Sequence, residues 1–289
     1  MNTQNVMVIG SGIMGSGISQ VIATSDNNVR IVDNNINSLN KSKQSIEKSL
    51  QRLCKKNILS VEKSNDILKN NLSWHNSIED AIKNDNNIKI VIEAVPEDSD
   101  IKNKIIELVN RAFIDQDIIY ASNTSSISIT EMAQKYKAPE KFIGMHFMNP
   151  VPVMKLVEII PGLQTNIDTV KSICSFAHSI NKVTIQSQDR AGFIANRILM
   201  PMINEAFFAL MENIGTPEDI DKALHLGCNQ PMGPLMLGDF IGLDTCLSIM
   251  NVLQKELGDD KYRACPLLKQ YVSAGWLGKK SGRGVYTHK

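Results

Sequence analysis

The fold is decided by the stretch Val-Met-Val-Ile-Gly-Ser-Gly-Ile-Met-Gly at residues 6–15. Its four apolar residues predict a buried strand, and residues 10–15 then form the pattern G-x-G-x-x-G. The amphipathic segment Ile13–Thr24 overlaps the end of this pattern and predicts a helix. A strand, a glycine-rich turn and a helix in this order are typical of a dinucleotide-binding unit. The alternative, a glycine-rich turn without a ligand, does not explain this context.

The glycines of this turn have separate predicted tasks. Gly10 allows the tight turn, Gly12 lets a pyrophosphate approach the backbone, and Gly15 lets helix and strand pack closely. The phosphates would then lie on the amides and the positive dipole end of the helix. We therefore expect cofactor contacts along this turn, including the intervening residues Ile13 and Met14.

An acidic residue follows the next predicted strand at the interval that dinucleotide-binding units require. Asp33 can accept hydrogen bonds from both hydroxyls of an adenosine ribose, and its charge would repel the 2′-phosphate of NADP. This favours NAD as the cofactor. Arg30, just upstream on the same strand, is the residue that argues for NADP instead.

Short apolar runs alternate with helical patterns through the first two thirds of the chain. This alternation predicts an α/β fold with a Rossmann-type, mainly parallel sheet covered by helices on both faces. The patterns Ser77–Asp80 and Ser128–Glu131 fit capping boxes at helix starts, and the polar stretch Asn40–Asn71 predicts a surface helix or helix pair. Strands are expected at Val6–Ile9, Val29–Val32, Ile88–Ile92, Ile118–Ala121, Phe142–Met145, Leu156–Ile159 and Val183–Ile185.

The pattern changes after about Gln186, where strand signals stop and helical segments continue to about Ala274. Within this part, the sequence Thr-Pro-Glu-Asp at 216–219 has the order of residues that a helix N-terminus favours. We therefore expect a Rossmann-type domain at 1–186, followed by an all-helical C-terminal domain at 187–289.

Composition narrows the classes of partner and compartment. The 31 Lys and Arg residues nearly balance 30 Asp and Glu residues among 289, so no global field would attract nucleic acid or an anionic membrane. The 5 cysteines are scattered, which favours a reducing compartment, and neither they nor the 5 histidines show metal-ligand spacing. Neither a signal peptide nor a membrane span is apparent, so we expect a cytoplasmic protein.

Two further segments carry chemistry. The sequence SNTSS at 122–126 follows a predicted strand, and His146 ends another, so both fall where doubly wound sheets bind ligands. Histidine suits proton transfer in both directions because its unperturbed pKa is near neutrality. The chain between His146 and Glu158 contains Pro150 and Pro152, and it can turn back to bring the carboxylate beside the ring. A structural histidine and a solvent-facing glutamate are the alternatives when each residue is taken singly.

Several segments in order then carry a family resemblance. They are SNTSS at 122–126, HFMNPVPVMKLVE at 146–158, GFIANR at 192–197, QPMGP at 230–234, GDFIGLD at 238–244 and GWLGKKSGRGVY at 275–286. Through them the chain resembles the 3-hydroxyacyl-CoA dehydrogenase family over essentially its whole length, and most of all its compact bacterial members that act on 3-hydroxybutyryl-CoA. The resemblance implies NAD-dependent, reversible oxidation of an (S)-3-hydroxyacyl-CoA to a 3-oxoacyl-CoA by a homodimer, with the helical domain serving substrate binding and dimerisation.

The resemblance also implies site residues. His146 would be the general acid/base at the C3 oxygen of the substrate, with Glu158 orienting and charging it. Ser125 would hydrogen-bond the same oxygen near the nicotinamide, and Asn196 would help to fix the substrate. The remaining implied contacts are Asn149, Glu97 and Lys102 for the cofactor, Ser49 and Lys56 for coenzyme A, and Lys280 for coenzyme A or the cofactor.

Some readings stay open at this point. Ser125 and Asn149 could serve only a helix cap and a turn, and Lys56 and Lys280 could be ordinary surface. The chain departs from the family pattern at Ala191, Gln230 and Met236, which bear on the domain junction and pocket rather than on the reaction. The alternative functions are a dehydrogenase of a free 3-hydroxy acid or sugar acid, and a dinucleotide-binding relative without turnover.

Overall fold

A computed structural model describes residues 3–288 of the chain. These residues form two compact units, the first ending at Arg190 and the second beginning at Ala191. The observed break lies a few residues beyond the predicted boundary near Gln186. Each unit has its own hydrophobic core.

The last loop of the first unit explains where that unit ends. Its Asp189 carboxylate accepts hydrogen bonds from Ser128 Oγ at 2.9 Å, Ile129 N at 3.0 Å and Thr130 N at 2.8 Å. The Ile129 and Thr130 amides lie in the first turn of a helix, where backbone N–H groups have no acceptor within the helix. The loop therefore stays attached to the first unit after its last strand has ended.

The first unit is built on one eight-stranded sheet. The strands are β1 Asn5–Ile9, β2 Asn28–Val32, β3 Leu72–His75, β4 Ile90–Glu93, β5 Ile119–Ser122, β6 Phe142–Phe147, β7 Leu156–Pro161 and β8 Val183–Gln186. Their order in the sheet is β3-β2-β1-β4-β5-β6-β7-β8. Strands β1 to β6 are parallel, β7 pairs with β6 antiparallel, and β8 is parallel to β7. The predicted Rossmann-type, mainly parallel sheet is confirmed.

Every strand predicted from an apolar run is present, with small shifts at its ends. Strand β3 is the one that the patterns missed, because only its first residue, Leu72, is buried and the others are half-buried. It lies at the edge of the sheet and pairs with β2. An edge strand of this kind lacks the continuous apolar run that marks a central parallel strand.

Helices cover the sheet and connect its parallel strands. The polar segment predicted as a helix or helix pair folds as two helices followed by a π-helical turn, Ile67–Asn71. The helices of the first unit are α1 Ile13–Thr24, α2 Ile36–Lys55, α3 Val61–Asp66, α4 Ile78–Ile82, α5 Ser99–Ala112, α6 Ile129–Ala133 and α7 Ile167–Ser179.

The two predicted capping boxes are half confirmed. The Ser77 hydroxyl accepts a hydrogen bond from Asp80 N at 3.1 Å, and the Ser128 hydroxyl accepts one from Glu131 N at 3.2 Å. The Asp80 carboxylate does not complete its box in the reciprocal way, because it contacts His75 Nδ1 at 3.0 Å instead. Each of these helices thus begins after the serine that the pattern predicts as its cap.

The second unit is helical, as predicted, and Thr216 caps its second helix. Buried Phe207, Leu243 and Met250 lie at the centre of its core. Its helices are α8 Ala195–Met211, α9 Pro217–Gly227, α10 Pro234–Ile241, α11 Leu243–Leu257 and α12 Pro266–Ser273. Among residues 3–288 no single helix is long and apolar enough to cross a membrane, and α10 with α11 reaches that measure only as a pair bent by 98°.

Candidate active site

The glycine-rich turn at residues 10–15 has the geometry that its sequence predicts. Gly10 has a φ of +101°, and a Cβ there would lie 2.5 Å from the Ala94 carbonyl oxygen. A Cβ on Gly15 would lie 1.8 Å from the Gly10 oxygen, so only glycine fits at either position. At Gly12, by contrast, a Cβ would meet nothing within 4 Å.

The open side of this turn lies at the start of α1. Gly12 is the residue before the first turn of the helix, and no described side chain caps that turn. Helix N-termini with such unpaired amides favour anionic groups because the amides and the helix dipole point at them. The turn therefore fits the pyrophosphate of a dinucleotide, with Ile13 80% exposed beside it.

Asp33 closes this site from the end of β2. One of its carboxylate oxygens accepts hydrogen bonds from Ser11 N at 2.9 Å and Ser11 Oγ at 2.7 Å, and the other accepts one from Asn35 N at 2.9 Å. The carboxylate is therefore held against the glycine-rich turn. This is where the ribose-binding acid of a dinucleotide site belongs.

Arg30 does not join Asp33. Its guanidinium pairs with the Asp85 carboxylate at 2.8 Å and donates to the Ala81 carbonyl oxygen at 2.8 Å. Both partners belong to α4 and the chain that leads from it to the amino end of β4. Arg30 thus points toward the opposite edge of the sheet from Asp33, which removes the sequence argument for NADP.

Glu97 gathers the SNTSS segment into a tight loop. A single carboxylate oxygen of Glu97 accepts bonds from Thr124 Oγ1 at 2.6 Å, from Ser125 N and Ser126 N at 2.8 Å each, and from both serine hydroxyls. Burial favours the neutral acid, but the Lys102 ammonium and these hydrogen bonds outweigh it and hold the pKa of Glu97 below its usual range. Ser125 is therefore fixed at the carboxyl edge of the sheet.

A buried ion pair lies behind Glu97. Lys102 Nζ contacts the Glu93 carboxylate at 2.8 and 3.0 Å, and Ser122 Oγ donates to the same group at 2.7 Å. Lys102 is 1% exposed, and its amine lies 3.4 Å from a Glu97 oxygen. Lys102 is therefore too buried to contact a cofactor directly, and it can influence the expected cofactor site through its ion pair with Glu97. Ser122 belongs to the SNTSS segment, but no role was predicted for it or for Glu93, although an acid at the end of an apolar strand was a usable signal.

His146 and Glu158 lie opposite each other on β6 and β7. His146 Nδ1 is 2.7 Å from Glu158 Oε2, and both side chains are buried, the glutamate completely. Directly paired residues of an antiparallel ladder place their side chains on the same face of the sheet. The sequence correctly predicted that the chain turns back between these two residues and brings them together.

The end of the strand that carries His146 is linked to the SNTSS loop. Asn123 Oδ1 accepts a hydrogen bond from Phe147 N at 2.9 Å, which links the SNTSS loop to the strand that carries His146. Asn149 is exposed just beyond β6, and the Asn149–Pro150 peptide bond is cis. The predicted cofactor contact and the His146–Glu158 pair thus belong to one connected edge of the sheet.

The remaining predicted contacts are distributed over both units. Ser49 and Lys56 are seven positions apart at the end of α2, so they share one side of the helix. Asn196 is half-buried in the first turn of α8, and Lys280 lies near the C-terminus, paired with Asp244 at 2.5 Å. Within residues 3–288 no three His, Cys, Asp or Glu side chains are grouped as a metal site.

Two family models match the chain from end to end. The NAD-binding domain of 3-hydroxyacyl-CoA dehydrogenase matches residues 5–190, and the C-terminal domain of the same family matches residues 192–288. The chain therefore belongs to the 3-hydroxyacyl-CoA dehydrogenase family, an NAD-dependent class of enzyme, as its sequence motifs predicted.

Individual relatives extend over the full chain. It is 46% identical to the probable 3-hydroxybutyryl-CoA dehydrogenase of Bacillus subtilis over 288 residues, which is 100% of this chain and 98% of that protein. It is 44% identical to the 3-hydroxybutyryl-CoA dehydrogenase of Bradyrhizobium diazoefficiens, covering 99% and 96%. The crystal structure of (S)-3-hydroxybutyryl-CoA dehydrogenase from Ralstonia eutropha matches with a TM-score of 0.93 and 43% identity over 100% of both chains.

Proposed function

We propose that this protein catalyses the reversible, NAD-dependent oxidation of (S)-3-hydroxybutyryl-CoA to acetoacetyl-CoA. The observation that carries the proposal is the 2.7 Å contact between His146 and Glu158 at the edge of a sheet that also bears a dinucleotide-binding turn. The names of the relatives from Bacillus subtilis and Ralstonia eutropha support the choice of substrate.

In this proposal His146 moves the proton of the reaction. Glu158 lies at Nδ1, so Nε2 is the nitrogen assigned to the C3 oxygen of the substrate. The carboxylate fixes the ring's tautomer and stabilises the imidazolium that forms when the alcohol loses its proton. Ser125 would turn its single hydroxyl proton from Glu97 to the same oxygen, and Asn196 helps to fix the substrate. When bound, NAD supplies the hydride acceptor.

The cofactor would be held by the residues that meet at the carboxyl edge of the sheet. The glycine-rich turn receives the pyrophosphate, and Asp33 receives the adenosine ribose. Glu97 and Asn149 contact the nicotinamide half, with Lys102 acting through Glu97. Ser49, Lys56 and Lys280 are assigned to coenzyme A, in which the lysines attract its phosphates.

One assay tests the proposal. NADH oxidation should be rapid with acetoacetyl-CoA, slower with longer 3-oxoacyl-CoA esters and negligible with free acetoacetate. Equal rates with the free acid would instead indicate a dehydrogenase of free hydroxy acids, and no turnover with any of them would indicate a dinucleotide-binding relative. Glu158→Gln should lose most of the activity, because an amide cannot stabilise imidazolium. His178→Gln, an exposed histidine on α7, is the matched control and should retain it.

The proposal includes a homodimer formed through the helical unit. That unit exposes large apolar side chains, among them Ile198, Ile214 and Leu226, each about two thirds exposed or more. An interface between two copies would remove such apolar side chains from water. Light scattering coupled to size-exclusion chromatography should give twice the mass of the 32.1 kDa chain, and a monomer at micromolar concentration would contradict the dimer.

A further inference from the structure

A buried lysine outside the residues discussed so far lies between α7 and β8. Lys182 is 6% exposed, and its Nζ donates to the Val151 carbonyl oxygen at 2.6 Å and to the Met154 carbonyl oxygen at 2.7 Å. Burial lowers the pKa of this amine. A buried amine without hydrogen-bond partners is costly, so these two contacts account for its presence in the core.

Both acceptors belong to the turn at residues 150–154, which joins β6 to β7. Inside the turn, the Pro150 carbonyl oxygen already accepts bonds from Val153 N and Met154 N at 3.0 Å each. The Val151 and Met154 carbonyl oxygens instead accept hydrogen bonds from the Lys182 amine, which lies outside the turn. Lys182 therefore supplies an anchor that the turn's own backbone does not provide.

The opposite side of the turn rests on α1. A Cβ on Gly17 would lie 2.9 Å from Val151 Cβ and 3.5 Å from Pro152 Cδ, and Val151 is 2% exposed. The absence of a side chain at residue 17 lets the turn approach the helix that begins at the glycine-rich turn. The 150–154 turn is thus held between Lys182 and α1.

We propose that Lys182 is a positioning residue for the reaction. By fixing the 150–154 turn against α1, it sets the position of Asn149 relative to the cofactor and stabilises the connection between the strands of His146 and Glu158. The inference rests on the proposed function. It assigns to Lys182 no contact with substrate or cofactor.

The test compares Lys182→Met with Lys182→Arg and with Lys171→Met, an exposed lysine on α7. Lys182→Met keeps the aliphatic stem but leaves both carbonyls without their donor. We expect kcat/KM for acetoacetyl-CoA to fall on the order of 10- to 100-fold, because small displacements of reacting groups have effects of this size. The Kd for NADH, measured by fluorescence titration, should rise several-fold. Lys182→Arg can still donate to both carbonyls and should restore much of the loss, while Lys171→Met should match the wild type.

Two outcomes separate positioning from simple stability. The inference is wrong if Lys182→Met lowers the melting temperature but has wild-type kcat, KM and Kd when these are measured well below that temperature. If Lys182→Met does not fold, Gly17→Ala presses on the same turn from α1; raised NADH Kd and lowered kcat would support the inference, and wild-type constants would refute it. Because NADH binding is measured directly, a wild-type protein without turnover would overturn the proposed function but not this test.

Discussion

Replacing Asp33 by alanine should narrow the preference of the enzyme for NADH over NADPH. In the wild type, a 2′-phosphate would approach a carboxylate that is already held in place by Ser11 N and Oγ. Two charges about 4 Å apart interact by roughly 4 kcal/mol at an effective dielectric of about 20. Salt and relaxation reduce this, but about 1.4 kcal/mol is enough for a tenfold difference in kcat/KM. We therefore expect at least a tenfold wild-type preference for NADH.

The same substitution has a second effect. Asp33→Ala also removes the hydrogen bonds that the ribose hydroxyls of NADH would donate to the carboxylate, and bonds to a charged group contribute about 1.5–3 kcal/mol each. Loss of the two bonds from Ser11 affects both cofactors alike, but loss of the ribose bonds affects NADH, so its kcat/KM should fall by roughly tenfold or more, while that for NADPH falls less or rises. Ser11→Ala is the matched control, because it removes one bond and keeps the carboxylate. It should weaken the use of both cofactors while leaving their ratio nearly unchanged.

Initial rates of acetoacetyl-CoA reduction with each cofactor, followed by nicotinamide absorbance at low and high salt, measure these ratios. Asp85→Ala removes the carboxylate partner of Arg30 but keeps the hydrogen bond from its guanidinium to the Ala81 carbonyl oxygen. The cofactor ratio should therefore stay unchanged, since Arg30 still points to the opposite edge of the sheet. A wild-type preference for NADPH, or an unchanged ratio in Asp33→Ala, would refute this account of the ribose site. A large gain in NADPH use by Asp85→Ala would show that Arg30 can reach the phosphate.

Three further outcomes are expected. His146→Gln should lower kcat on the order of 10²- to 10⁴-fold with nearly intact NADH binding, and a loss of only a few-fold would leave His146 a structural role. Replacing Lys56 and Lys280 by alanine should raise KM for acetoacetyl-CoA, and the increase should be larger at low salt. Lys56 should contribute more than Lys280, because Asp244 already neutralises Lys280. A KM unaffected by salt would contradict this. Because the pKa of Glu97 is lowered in the folded protein, its carboxylate contributes fully to the free energy of unfolding above the usual carboxyl pKa, and this contribution is lost as pH falls through the folded-state pKa. Glu97→Gln should therefore make the free energy of unfolding, measured with urea, depend less on pH on the acid side. Parallel pH profiles for the variant and the wild type would contradict this.

The parts of this molecule that follow local rules were predictable from sequence. The strand, glycine turn and helix at the N-terminus depend on residues that adjoin each other in the chain, so the pattern alone defines them. The nearness of His146 and Glu158 was also predictable, because a short segment with two prolines has few ways to connect two strands. Strand β3 was missed for a related reason, since an edge strand needs little apolar sequence.

Contacts between distant segments were not predictable in this way. Lys182 follows a helix, where a lysine is ordinarily solvated, and only the packed structure places its amine beneath the 150–154 turn. Glu93 likewise meets Lys102 only because α5 lies over the end of β4. Such buried charges depend on the tertiary arrangement of their partners, which a single sequence does not display.

The Asp189 cap on α6 has a consequence for recombination between relatives. A chimera that exchanged the two units at Gln186, where the strand pattern ends, would bring in a foreign loop and risk leaving the Ile129 and Thr130 amides unpaired. A crossover placed after Arg190 keeps the loop with the helix that it caps. Natural or designed chimeras in this family should therefore fold more often when the crossover lies after Arg190 than when it lies at Gln186.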